Sequence, residues 1–411
     1  MRRALPSAVL FAACSGAPTE APPPAAPPPN VLLITLDTLR VDALGVYGNR
    51  FNPSPNLDAL AAQGVRFERA YTVTPLTIPA HSSIHTGLYP PRHGVRDNGD
   101  FFLSDDAVTL AERLSGEGYA TMASVGAEVT SHHWGFAQGF DAYFDDLGPR
   151  EAGGNRWRVE RPGEEVVDDA LGWLAQEREQ PFFAWVHLFD VHDPYEAPAA
   201  FQAQLPGRPY LAEVAGVDHQ VARLLAAIPE DTVVIAVADH GEGLGEHGES
   251  LHGMLLYDAT THIPLLLRAP GVAPAVVSTP VSLVDLAPTI LGLTGSPAAT
   301  VDGLDLAPHL RGEQPWPAER DIYLESLYAS RHYGWAPQHA LVDAEYKLID
   351  STTDKLFAAT DGREEHNLAD QPALLDPRLE RLGALLAGMD DGEVAQRVAA
   401  DAGLADQLAA L

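Results

Sequence analysis

Four stretches of this chain carry residue types able to hold a cation and move protons. The apolar run Val31–Leu36 ends at Asp37, the run Phe182–Leu188 ends in His187, and the run Thr232–Ala238 is followed by Asp239-His240. In open α/β sheets, ligands bind beyond the carboxyl ends of the strands. Each residue alone has a plain explanation, Asp37 or Asp239 as a helix cap and His187 as a core histidine. All three at one sheet edge point instead to a site. The fourth stretch is AYTVTPLTIPAHSSIHTGLYPPRHG, residues 70–94. Pro79 suits a first helical turn and Gly87 a stop, which predicts a helix over 79–86 with Thr77 just before its N-terminus. There the free amides and the positive dipole end favour an alkoxide and an incoming anion. His81, four residues on, falls on the same side. The plain alternative for Thr77 is helix N-cap.

Two carboxylates and an imidazole can hold one divalent cation with a position left open. The expected metal set is Asp37, Thr77, Asp239 and His240, with the cation lowering the pKa of the Thr77 hydroxyl to give a nucleophile at neutral pH. The mixed oxygen and nitrogen donors suit Zn²⁺ or Mn²⁺ and admit Ca²⁺ or Mg²⁺. His81, His187 and His252 are expected to bind the anionic group and protonate the leaving oxygen. His192, in FDVHDPYE, is a further candidate for binding substrate. A second ion on Asp190, His192 or His252 is the lesser alternative.

The elements that must position these residues are legible as an alternation. Apolar β-prone runs occur at 31–36, 120–125, 182–188, 232–238 and 263–268, with amphipathic stretches at 56–64, 109–116, 165–177 and 214–228 between them. This predicts an α/β fold, a large, mostly parallel sheet with helices on both faces. Composition shifts near Pro315-Trp316-Pro317. Beyond it, short strands at 321–327, 339–342 and 346–349 and a helical tail from 373 predict a smaller C-terminal α+β subdomain. The expected organisation is a leader and tether over 1–29, a catalytic domain over 30–314 and the subdomain over 315–411.

The chain has 411 residues and a formal net charge of −31, with 26 Lys+Arg against 57 Asp+Glu. That excess repels polyanions, and no basic patch offsets it, so nucleic acid is not expected as a partner. The lysines are Lys347 and Lys355 alone, both far from the motifs. One cysteine, Cys14, excludes an internal disulfide and a Cys-based zinc site. Met1-Arg2-Arg3 and the apolar residues 4–13 form an export leader too short to span a bilayer. Residues 10–14, LFAAC, resemble a bacterial lipobox, which would lipidate Cys14. Residues 17–29, APTEAPPPAAPPP, would follow as a polyproline tether of roughly 40 Å at ~3.1 Å per residue. The expectation is an exported protein of the periplasm or cell envelope whose membrane contact is a lipid anchor at Cys14.

The ordered blocks NVLLITLDTLRVDALGVYG, PNLDALAAQGVRFERAYTVTPLTIPAHSSIHTGLYPPRHGV, FFAWVHLFDVHDPY, VVIAVADHGEGLGEHGE, THIPLLLRAPG and VSLVDLAPTILGL resemble those of the sulfatase family, within the alkaline phosphatase superfamily. The likeness runs from about Asn30 to Leu293 and resumes weakly at EYKLIDSTTDKLFAATDGREEHNLA. It implies a metal-dependent hydrolase of sulfate or phosphate-type esters, with Asp37 and Asp239-His240 at family metal positions. Thr38 stands where the family has a second acid. The family's nucleophile block reads Cys or Ser, any residue, Pro, small residue, Arg; here it reads Thr77-Ile78-Pro79-Ala80-His81. Formylglycine is therefore not expected, since threonine cannot yield that aldehyde, and water must discharge any Thr77 ester directly. The resemblance also implies that His252 takes the place of a pocket lysine. Thr77 is shared with the threonine branches of the superfamily, which include phosphodiesterases and phosphoethanolamine transferases. A transferase acting on an envelope acceptor and a non-catalytic binding protein of the same fold are the alternatives.

Overall fold

The computed structural model describes residues 27–147, 160–389 and 396–397. The leader, the Cys14 lipobox and most of the tether lie outside the described residues.

Nine strands form the main sheet: β1 (Val31–Leu36), β2 (Val65–Tyr71), β3 (Ala120–Val125), β4 (Ala142–Phe144), β5 (Phe182–Leu188), β6 (Val233–Ala238), β7 (His262–Arg268), β8 (Ala275–Val277) and β9 (Val281–Ser282). Their order is β9-β2-β7-β6-β1-β5-β3-β4, with β8 also on β2. The five strands β6-β1-β5-β3-β4 run parallel, and β7 is antiparallel to both β6 and β2. β1 is central, and every one of its residues is buried. Continuous apolar character follows, because helices cover both faces of a parallel strand. Helices α1 (Pro55–Gln63), α2 (Thr77–Thr86), α3 (Leu110–Gly116), α4 (Gly163–Leu174), α5 (Pro209–Ala227) and α6 (Leu286–Thr294) flank the sheet. α3 has a full capping box, in which Thr109 and Glu112 satisfy each other's backbone amides.

Strands β10 (Ile322–Ser326), β11 (Gln338–Val342), β12 (Tyr346–Asp350) and β13 (Lys355–Ala358) form a separate antiparallel meander, followed by helix α7 (Pro372–Gly388). The fold is the one the alternation predicts, a large, mostly parallel sheet with helices on both faces and a smaller C-terminal sheet, and it is the alkaline phosphatase/sulfatase-like architecture that the resemblance implies. Trp316, in the Pro-Trp-Pro segment, meets Phe67 of β2 edge to face, ring centroids 6.3 Å apart.

The small sheet braces loops of the main one. Arg96 forms a two-pronged ion pair with Glu325 at 2.6 and 2.7 Å, the Glu325 amide donates to the Val73 carbonyl, and the Ser326 hydroxyl donates to the Gly253 carbonyl. Lys347 of β12 is buried and donates to Asp258 at 2.7 Å and to Thr261 at 2.8 Å, with Glu364 at 3.0 Å. Removing one partner of a buried ion cluster leaves the others uncompensated, at a cost of about 3–5 kcal/mol. Lys347→Met is therefore expected to lower unfolding free energy by about that amount in denaturant titrations. An unchanged midpoint would show that the cluster does not hold the two sheets together.

Candidate active site

The site lies at the carboxyl ends of the parallel strands, where β1 delivers Asp37 and β6 delivers Asp239 and His240. The Asp37 amide still pairs with the Leu188 carbonyl, so β1 stays in register up to the carboxylate. The next residue, Thr38, has φ +52°, a costly conformation for a β-branched side chain. Tyr210 of α5 clamps this turn, its hydroxyl donating to the Thr38 carbonyl at 2.8 Å and accepting from the Arg40 amide at 2.9 Å.

Asp37, Asp239 and His240 are all fully buried, and one ligand atom from each lies within 4.8 Å of the others. They are the one group of three His, Cys, Asp or Glu side chains among the described residues that meets this spacing. Both Asp37 oxygens lack a hydrogen-bond partner, and so does Asp239 Oδ2; Asp239 Oδ1 accepts from the His240 amide at 2.8 Å. Burial, then the neighbouring carboxylates Asp239 and Glu242, push the Asp37 carboxyl well above its usual range, with the Thr77 side chain opposing. Burial pushes Asp239 up to about 6, opposed first by His81. The ring of His240 points Nδ1 at the Gly241 carbonyl, 3.0 Å away. Nδ1 must therefore carry the proton, which leaves a bare lone pair on Nε2. That Nε2 lies 3.5 Å from Asp239 Oδ2 and 3.3 Å from Thr77 Oγ1. Burial, then His252, drives the His240 ring down to about 3, so it stays neutral.

Thr77 is the first residue of α2, two residues earlier than proline placement predicts, and Leu76 is the cap position without a side-chain cap. The physical reason lies across the fold: Asn98 Oδ1 accepts the Ile78 amide at 2.9 Å, satisfying a first-turn donor from outside the helix. The N-cap alternative for Thr77 is thereby removed, and its hydroxyl faces His240. Thr77, Asn98, Ala127, Glu128, Val129, Phe189, His192 and His252 line a narrow cavity at this point.

The predicted histidines divide into two layers. His192 and His252 line the cavity with Thr77. His192 donates Nδ1–H to the Asp193 carbonyl at 2.8 Å and stacks on Phe189 at 4.4 Å. Burial, then His252, lowers His192 to about 4, and burial lowers His252 to about 4. His81 and His187 sit beneath, both wholly buried and both bonded to Thr35. His81 Nδ1 contacts the Thr77 carbonyl at 2.9 Å, so it carries the proton, and Nε2 takes the Thr35 hydroxyl proton at 3.1 Å. His187 Nδ1 then donates to Thr35 at 3.0 Å, and its unpartnered Nε2 lies 3.6 Å from Asp37 Oδ2. The expectation that His81 and His187 meet the substrate is corrected by their contacts; full burial does not set these two apart, since Asp37, Asp239 and His240 are equally buried. His81 Nδ1 lies 3.6 Å from Asp239 Oδ2, so His81 and His187 back the two carboxylates while His192 and His252 line the cavity. Asp190, His192 and His252 belong to no group of three close ligand atoms among the described residues, and Asp190 Oδ1 accepts the Gly163 amide at 2.8 Å.

Sequence reasoning missed Asn98, Tyr195 and Glu242. Glu242 is fully buried, accepting from His252 Nδ1 at 2.9 Å and from the Tyr195 hydroxyl at 3.1 Å. The available signal was an acid two residues after His240 in a glycine-rich loop.

The family model described as Sulfatase matches residues 29–296. Among curated relatives, the chain is similar to the uncharacterized sulfatase YidJ of Escherichia coli, 26% identical and covering 88% of this chain and 87% of that one. Human arylsulfatase A is 29% identical, covering 78% of this chain and 74% of its own length. Among solved structures, the phosphonate monoester hydrolase of Silicibacter pomeroyi superposes with a TM-score of 0.70 at 24% identity, over 90% of this chain and 99% of that one.

Proposed function

Because this chain belongs to the sulfatase family, whose members generally bind a metal ion, we propose that it is an exported, metal-dependent hydrolase that attacks a sulfate or phosphoryl-type ester with Thr77. The chain is a sulfatase-like ester hydrolase; the threonine, the cation and the export are the reading added here. The observation that carries it is Thr77 Oγ1 standing 3.3 Å from His240 Nε2, beside a buried Asp37 with both oxygens unpartnered and a buried Asp239 with Oδ2 unpartnered.

The donor set fits a divalent cation. Both Asp37 oxygens and Asp239 Oδ2 lack a proton donor, His240 Nε2 accepts from the Thr77 hydroxyl, and a cation relieves the repulsion among these crowded, buried lone pairs. Such an ion, held by Asp37, Asp239, His240 and Thr77, would supply charge stabilisation and a hydroxyl ionised near neutral pH. The hydrogen bond from Nδ1 to Gly241 fixes the His240 tautomer needed for ligation. Thr77 at the head of α2 is aimed at an anion by the dipole and the remaining first-turn amides. His192 and His252 face the ester from the cavity wall. Phe189, Ala127 and Val129 exclude water there. The substrate is an anionic monoester, and both ester classes stay in view. The relatives are sulfatases, whereas an unmodified threonine and the phosphonate hydrolase likeness favour phosphoryl or phosphonyl groups. Export with a lipid anchor at Cys14 belongs to the same reading.

A panel of aryl sulfate, phosphate and phosphonate monoesters, offered to protein loaded in turn with Zn²⁺, Mn²⁺ and Ca²⁺, tests this. Turnover of at least one ester class that is lost on chelation and restored by metal is expected. Absence of turnover with every metal would refute it.

A further inference from the structure

Four of the seven exposed large hydrophobic side chains among the described residues, Leu244, Leu251, Tyr333 and Trp335, lie on two segments beside the cavity. Leu251 immediately precedes His252, which lines that cavity. The Gly243 amide meets the Leu251 carbonyl at 2.6 Å, which folds the loop back and sets the backbone before Leu244 against Leu251. A Cβ on Gly243 would stand 2.5 Å from that oxygen, so only glycine lets the loop close. Tyr333 ends a short helix, Tyr328–Tyr333, and Gly334 at φ +68° turns the chain so that the Trp335 amide bonds back to the Ala329 carbonyl at 3.2 Å. This helix is tied to two sides of the cavity. His332 Nε2–H donates to the buried Asp97 carboxylate at 2.8 Å, and Asp97 precedes the cavity residue Asn98. Tyr328 packs behind Gly253, the residue after His252, where a Cβ would stand 3.8 Å from its ring. Tyr333 and Trp335 are thereby held at the rim, 56% and 61% exposed, with ring centroids 5.8 Å apart.

The cavity at Thr77 is too narrow for more than the charged head of an ester. The alcohol part must therefore lie outside, against whatever surrounds the mouth. The cations of the short helix are turned to the protein, His332 to Asp97 and Arg331 over the Phe101 ring at 4.7 Å. Its exposed face is apolar, and exposed apolar clusters gain by covering a nonpolar ligand. The Tyr333 and Trp335 rings are tilted by 42°, which forms no flat slot for an aromatic alcohol. Two leucines and two tilted rings fit a chain that bends. We propose that this rim seats a long alkyl chain, so that the substrate class is an amphiphilic ester with its anionic head at Thr77. The inference rests on the ester-hydrolase reading and deepens it at the same site.

A series of n-alkyl sulfates and n-alkyl phosphates from ethyl to octyl, below their micelle concentrations, tests this on metal-loaded protein. A methylene lying on an apolar surface is worth about twofold in affinity, half the free energy of one fully buried, so six give about 60-fold. The expected rise in kcat/KM from ethyl to octyl is therefore about 60-fold, carried by KM. Trp335→Ala is expected to cut the octyl-to-ethyl ratio about tenfold, and Leu251→Ser about threefold. A ratio near one in wild type, or an unchanged ratio in both variants, would overturn the assignment. So would a preference for glucose 6-sulfate or 6-phosphate over the octyl ester, which gives the rim to a sugar. Capture by phosphatidylcholine vesicles, with no chain-length preference among the free esters, would give the face to a bilayer and overturn it equally. A binding measurement separates this inference from the hydrolase reading. Octanesulfonate, which has no ester bond to cleave, is expected to bind about 60-fold more tightly than ethanesulfonate, with a blue shift of tryptophan emission that Trp335→Phe removes. If no ester turned over with any metal and octanesulfonate still bound in this way, hydrolysis would fall and the rim would stand. Equal affinity for the two sulfonates would overturn the rim even where hydrolysis held.

Discussion

Thr77→Ala is expected to lower kcat by about 10⁴-fold, the scale on which removal of a nucleophile leaves only binding and electrostatic catalysis. The fold should be indifferent to the change. Thr77 does not cap α2, the Ile78 amide is satisfied by Asn98, and the Thr77 carbonyl that holds His81 is backbone. Loss of one side chain in this setting is expected to cost no more than about 1 kcal/mol of stability. The rate and the unfolding midpoint are thus expected to separate widely, which is the mark of a residue that acts on substrate. Thr77→Ser keeps a hydroxyl at the same place and should retain most of the rate. Steady-state kinetics beside thermal denaturation checks both, and wild-type turnover in the alanine variant would remove Thr77 from the mechanism.

The second large effect concerns Asp37. Its two orphaned oxygens are costly in the metal-free protein and useful only when a cation meets them. Wild-type protein is therefore expected to gain about 2.7 kcal/mol of stability when the ion is present at a hundred times its dissociation constant. Asp37→Asn should abolish that gain and the turnover together. In chelator at pH 8, however, the asparagine variant should be at least as stable as wild type, because a neutral amide does not have to be buried as a charge. Denaturation with and without metal, together with metal content by elemental analysis, reads all of this. A chelated variant much less stable than chelated wild type would mean that Asp37 serves the fold rather than an ion.

What the sequence reveals and what it hides follow from the range of the forces involved. Strands β1, β3, β5, β6 and β7 are plain as continuous apolar runs because both faces of each are covered. β2, reading VRFERAY, alternates with charges, and its register shifts between Phe67 and Ala70. β13 is only four residues long. Neither carries a local signal strong enough to stand out. Asp37, Asp239 and His240 are readable because strand ends place them without help from distant residues. The start of α2 is not, since it depends on Asn98 across a turn. The orientation of His81 and His187 depends on Thr35, a residue whose hydrogen bonds to both rings bridge neighbouring elements. Glu242 escapes for the same reason: its partners, Tyr195 and His252, arrive from 47 residues before and 10 residues after.

The most direct test of the central claim is accurate-mass analysis of the peptide containing Thr77 after acid quenching of metal-loaded enzyme within a single turnover. The expected result is one sulfo or one phospho group on Thr77, resolved by mass, rising and then decaying as product appears. Product formed through the whole course with Thr77 never modified, or the group carried on another side chain, would contradict it.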